Sequence, residues 1–130
     1  MKGVYVLGIS VSKDIKVKVG ALGIISVEKG LYAYVGSAQN GLEKRIERHL
    51  TEAKRKFWHI DYLLGNESAN VVKVFYKKAE KSEECSIARM LGERGIAVKN
   101  FGCSDCSCAS HLFSIGRYSF LREFMSEMRL

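Results

Sequence analysis

The chain has 130 residues, 47% of them apolar and none of them proline, which suits one domain that buries its core without a covalent staple. No apolar window is long enough to span a bilayer, and nothing after Met1-Lys2-Gly3 resembles the apolar core of a signal peptide, so the expected location is the cytoplasm. Twenty-one Lys and Arg against 14 Asp and Glu leave a charge of +7, which favours polyanionic partners, nucleic acid ahead of an anionic membrane surface.

Taken in chain order, the pattern predicts strands at Val4–Leu7, at Ile15–Val19 where Lys16 and Lys18 alternate with apolar residues, and at Leu31–Val35 after a turn at Lys29-Gly30. These make an antiparallel sheet of two to three strands. Leu42, Ile46 and Leu50 then fall at helical spacing, with Asn40 and Glu43 as a variant capping box, and Arg45 and His49 share one flank. A second helix is expected over Lys56–Leu64 and a strand over Val71–Tyr76. The third helix is capped by Ser82, ends near Gly95 and buries Ile87, Met90 and Leu91. After a Gly/Ser/Cys loop from Gly102 to Ser110, a final helix would set Phe120, Leu121, Phe124, Met125 and Met128 on one face, as core or as an interface for a homodimer or partner protein. With no Ser/Gly-rich or low-complexity run, residues 1–130 read as a single α+β domain, a small antiparallel sheet flanked by helices.

Two tripeptides, Gly3-Val4-Tyr5 and Tyr34-Val35-Gly36, stand in this order, and the second continues into Ser37-Ala38 and Glu43-Lys44-Arg45-Ile46-Glu47-Arg48-His49. This combination resembles the GIY-YIG nuclease superfamily, and the tail from Ser104 to Phe113 is similar to its Uri-type, largely archaeal branch. The resemblance implies a metal-dependent endonuclease that hydrolyses nucleic-acid phosphodiester bonds, DNA first and in repair, around one Mg²⁺ or Mn²⁺ ion. Tyr5 would orient or deprotonate the attacking water, although a phenol near pKa 10 needs a cation or a proton relay to do so. Tyr34 would hold water or phosphate, and Arg45 would pair with the phosphate through its planar guanidinium. His49 matches the helix histidine and His59 a later polar position; either suits phosphate contact or proton transfer. Glu84 matches the metal-binding glutamate, with Glu83 as the alternative, and a hard carboxylate suits Mg²⁺. Each residue type also has an ordinary structural use: tyrosines favour strands, and acidic residues in a first helical turn oppose the helix dipole. Ser37 stands where the excision-repair members carry lysine, as it does in the homing enzymes.

Lys44, Arg48, Lys54, Arg55, Lys56 and His59 add a basic surface for nucleic acid. The rival reading is a catalytically inactive nucleic-acid-binding or repair-accessory module, separable by metal dependence; a thiol or structural-metal protein comes third. Four cysteines in a chain without a signal suggest metal, free thiols or an intracellular disulfide. Cys103, Cys106, Cys108 and His111 form a candidate zinc set, but so short a loop wraps a tetrahedron poorly. A disulfide from Cys85 to this loop, or reduced thiols, ranks ahead of it.

Overall fold

The computed structural model describes residues 2–51, 56, 58–102 and 108–130. Val4, Tyr5, Val6, Leu7, Ile9 and Val11 give a run that is apolar on both faces, the signature of an interior strand. They form β1 (Gly3–Val11) in a six-stranded sheet, paired on one side with β4 (Gly30–Ala38) and on the other with β5 (Ala69–Lys77). Beyond β4 lie β7 (Leu112–Ile115) and then β6 (Ile96–Ala97), and beyond β5 lies β8 (Ser126–Met128); every pairing among the described residues is antiparallel.

Alternation along β1 feeds two apolar layers. Tyr5, Leu7, Ile9 and Val11 pack with Leu42 and Ile46 of α1 (Leu42–Leu50), with Ile60 and Leu63 of α2 (His59–Leu64), and with the separate hairpin of β2 (Ile15–Val19) and β3 (Gly23–Val27). Val4 and Val6 pack on the other side with Phe75, Phe113, Leu121, and Ile87 and Leu91 of α3 (Ser82–Arg94). Fully burying each such side chain contributes about 1.5–3 kcal/mol. The fold is α+β, a mostly antiparallel sheet with helices on both faces. No described helix is long and apolar enough to cross a membrane.

Several expected elements differ. The sheet is larger than two to three strands, and Ile15–Val19 belongs to a separate hairpin, not to the main sheet. α1 starts after Gly41, whose left-handed backbone (φ 98°) turns the chain out of β4, and no side chain caps it, so Asn40 and Glu43 form no capping box. Leu50 is 42% exposed and lies off the buried stripe of that helix. α2 begins at His59 rather than Lys56, because Asp61 Oδ2 accepts the Trp58 N–H at 2.9 Å and so sets the first turn there. Ser82 is the first residue of α3, with Lys81 before it, and Met90 is only partly buried. The final helix is absent: Ser119–Glu123 is a 3₁₀ turn and Ser126–Met128 pairs with Val74–Tyr76. Helical spacing there cannot outweigh the open edge of β5, whose N–H and C=O groups only a strand can satisfy. Leu121 and Met125 are buried in the core, the first of the two roles expected for this segment, while Phe124 is 37% exposed.

Candidate active site

The register of β1 against β4 places Tyr5 opposite Gly36. A Cβ on Gly36 would lie 2.5 Å from the Tyr5 hydroxyl, so this position needs glycine to let the phenol reach across β4. The hydroxyl then meets His49 Nε2 at 2.7 Å, and both residues are buried. His49 lies among aromatic rings, with centroids 5.3 Å from Tyr5, 6.3 Å from Tyr34 and 6.1 Å from Trp58. Burial pushes the Tyr5 phenol well above its ordinary pKa, with the Arg45 charge opposing, and burial also raises Tyr34. Both phenols are therefore neutral at physiological pH.

In front of Tyr5 opens a cleft of about 440 Å³. Tyr5, Tyr34, Arg45, His59 and Glu84 all line it, although β1, β4, α1, α2 and α3 each supply one of them. Arg45 is held in two ways: Nη1 donates to the Ser37 carbonyl at 3.0 Å, and the guanidinium lies 4.3 Å from the centre of the Trp58 ring. These contacts fix a cation on the cleft wall through a carbonyl and a ring, which leaves its charge for an anion. His59 accepts the Gly102 N–H on Nδ1 at 2.8 Å, which requires the neutral ring with its proton on Nε2. Burial lowers its pKa in the same direction.

Glu84 is the one carboxylate lining the cleft among the described residues, and Ser37, Gln39 and Asn40 add hydroxyl and amide oxygens. Such hard donors fit Mg²⁺ or Mn²⁺, which keep most of their waters and need few protein ligands. Glu84 Oε2 also lies 2.9 Å from Nδ1 of His111, a ring that is 2% exposed. Glu83 instead lies 3.5 Å from Lys77 Nζ, away from the cleft.

His49 stands behind Tyr5 and does not line the cleft. Nor does Arg48, whose two terminal nitrogens reach Asp61 at 2.8 and 2.9 Å in a bidentate pair that ties α1 to α2. That hydrogen bond raises the Arg48 pKa. Lys44 is exposed on α1, whereas Lys56 lies 5.9 Å from the Tyr62 ring. Lys54 and Arg55, like Cys103 and Cys106, fall outside the described residues. Residue patterns alone missed Lys81, Trp58, Gln39 and Asn40, all on the cleft wall. Two signals were available: Lys81 precedes Glu84 by one helical turn, and Gln39-Asn40 directly continues the run from the second tripeptide.

Ligand atoms of Cys85, Cys108 and His111 lie within 4.8 Å of one another and could hold a metal ion. This group differs from the set expected from the loop, since α3 supplies Cys85.

Residues 4–129 match the sequence profile of a family described as "Domain of unknown function DUF123". No curated protein and no solved structure matches the chain.

Proposed function

We propose that this chain, which belongs to the DUF123 family across nearly its whole length, is a divalent-metal-dependent endonuclease of the GIY-YIG type that hydrolyses nucleic-acid phosphodiester bonds, DNA first, because its cleft gathers one set of chemistries. The observation that carries this reading is the convergence of Tyr5, Tyr34, Arg45, His59 and Glu84 from five separate elements on one cleft. Packing alone gives no reason for two phenols, a cation and a carboxylate to share one concavity.

The chain's own groups divide the work. Arg45 binds the scissile phosphate and neutralises the charge that grows on its non-bridging oxygens as water attacks phosphorus. A neutral, buried phenol is a poor base, so Tyr5 acts as a relay: its oxygen takes the water's proton as its own passes to His49 Nε2 across the 2.7 Å contact. Tyr34, also on the cleft wall, orients water or phosphate. Neutral His59 presents Nε2–H as a donor to a phosphate oxygen. Glu84 would hold Mg²⁺ or Mn²⁺, which supplies Lewis-acid neutralisation at the phosphate. The leaving 3′ oxygen takes a proton from water.

Cleavage of labelled single-stranded, duplex and branched DNA and of RNA, with Mg²⁺ or Mn²⁺, tests this directly. Nicking that disappears in Glu84→Ala and in EDTA is the expected result. Salt-sensitive binding with no cleavage of any substrate would replace the enzyme with a basic nucleic-acid-binding or repair-accessory module.

A further inference from the structure

Beside the cleft, α3 and the segment leading into β7 bring together a second set of donors whose chemistry is soft rather than hard. Cys85 lies on α3, one residue after Glu84, while Cys108 and His111 approach from the other segment. The three ligand atoms fall within 4.8 Å of one another. Around a tetrahedral zinc ion, bonds of ~2.3 Å to sulfur and ~2.0 Å to nitrogen put neighbouring ligand atoms roughly 3.5–3.8 Å apart, so contraction by about an ångström closes the site.

Three features point the same way. The His111 backbone is held on both sides, its N–H donating to the Phe101 carbonyl at 2.8 Å and its carbonyl accepting the Val35 N–H at 2.9 Å, so the ring sits on a rigid frame. Against that ring, 2.9 Å from Nδ1, lies the Glu84 carboxylate, the outer partner that metal-bound histidines usually have. Cys85 and Cys108 also border a groove of about 430 Å³ with Arg89, Gly92 and Phe113, which gives an ion a way in. Drawing ligands from two separated segments removes the strain that a single short loop would impose.

We propose that Cys85, Cys108 and His111 bind one zinc ion, with Glu84 as the outer carboxylate that braces His111. Two thiolates and an imidazole select zinc over Mg²⁺, and binding releases two thiol protons to solvent. Water or a further side chain completes the tetrahedron. Glu84 then belongs to both sites, so the zinc fixes a residue that also lines the cleft.

The experiment is metal analysis of the full-length chain after extensive dialysis, combined with alkylation mapped by peptide and with Co²⁺ substitution followed by absorbance. None of these readouts depends on cleavage, so they stand or fall apart from the nuclease reading. Expected are about one zinc per chain, slow alkylation of Cys85 and Cys108 until the protein is unfolded, and Co²⁺ bands of thiolate ligation. Cys85→Ser and Cys108→Ser should each lower bound zinc at least tenfold; should either variant fail to fold, the wild-type map and Co²⁺ spectrum still decide. Metal-free protein with both thiols reacting at once would overturn the proposal. So would a Cys85–Cys108 disulfide, seen as the loss of two hydrogens in mass, or zinc that protects Cys103 and Cys106 while Cys85 reacts freely.

Discussion

Arg45 illustrates how little freedom a residue at this cleft retains. Its guanidinium is anchored by the Ser37 carbonyl and stacked over Trp58, two contacts that hold it in place without neutralising it. Arg45→Ala should therefore leave the fold largely intact, losing about 1 kcal/mol with the hydrogen bond and stacking. Cleavage should fall by roughly 10²–10³, the scale expected for removing a donor aimed at developing charge. Arg45→Lys should not restore the rate, because an ammonium cannot reproduce the planar fork. Circular dichroism and single-turnover nicking check the two halves; an Arg45→Ala rate equal to wild type would remove Arg45 from the mechanism.

His59 couples stability to pH. Its folded pKa is lowered below 6.5, by burial, and the Gly102 N–H bond also needs the neutral ring. The unfolded chain thus binds a proton at higher pH than the folded one. The stabilisation is present above about pH 6.5 and is lost as pH falls through the depressed folded value. Melting temperatures should decline over that window, and His59→Asn, whose side-chain oxygen can still accept the Gly102 N–H, should flatten the decline. An equal acid decline in the variant would place its cause in other groups.

At the scale of elements, the Arg48–Asp61 ion pair ties α1 to α2. Asp61 is almost fully buried and Arg48 only partly exposed. Arg48→Ala leaves that carboxylate without its guanidinium and should cost about 2–3 kcal/mol in urea unfolding, the low side for a broken buried pair because water still reaches Arg48. Lys44, on the exposed side of the same helix, should behave differently. Lys44→Ala should hold stability constant and lower the salt slope of DNA binding by about one phosphate contact, whereas Arg48→Ala should leave that slope unchanged under folding conditions. If Arg48→Ala lowers the slope as much as Lys44→Ala, its guanidinium contacts phosphate directly. In β8, too, partners outrank local pattern. Its residues carry helical spacing, but Glu127 bridges Lys73 and Arg122 and the strand closes the β5 edge.

For the whole molecule, a charge of +7 favours polyanionic ligands at long range, and in the proposed nuclease the cleft would act on them. DNA affinity should fall steeply with salt whether or not EDTA is present, because phosphate neutralisation does not need the divalent ion. Turnover should vanish in EDTA at every salt concentration. Binding by filter retention and nicking on the same samples separates the two, and turnover that survives EDTA would exclude a divalent ion from the reaction.

Several features were readable from residue order alone because they depend on local chemistry. The strands around Val4–Leu7 and Leu31–Val35, the helix carrying Arg45 and His49, and the helix opening at Ser82 come from periodicity. Tyr5, Tyr34, Arg45, His49 and Glu84 were grouped by the resemblance to the GIY-YIG nucleases that the paired tripeptides carry, and local chemistry by itself grouped none of them. What only the tertiary structure decided depends on partners distant in sequence. Sheet edges made strands of Leu112–Ile115, for which no element was expected, and of Ser126–Met128, where an unpaired edge outweighs a weak helical pattern. The strand register put Tyr5 across Gly36 and so within reach of His49. Packing of α3 against β7 and the segment before it brought Glu84 to His111 and Cys85 to Cys108. No spacing rule could foresee those contacts, because they join segments whose separation in space is set by the core between them.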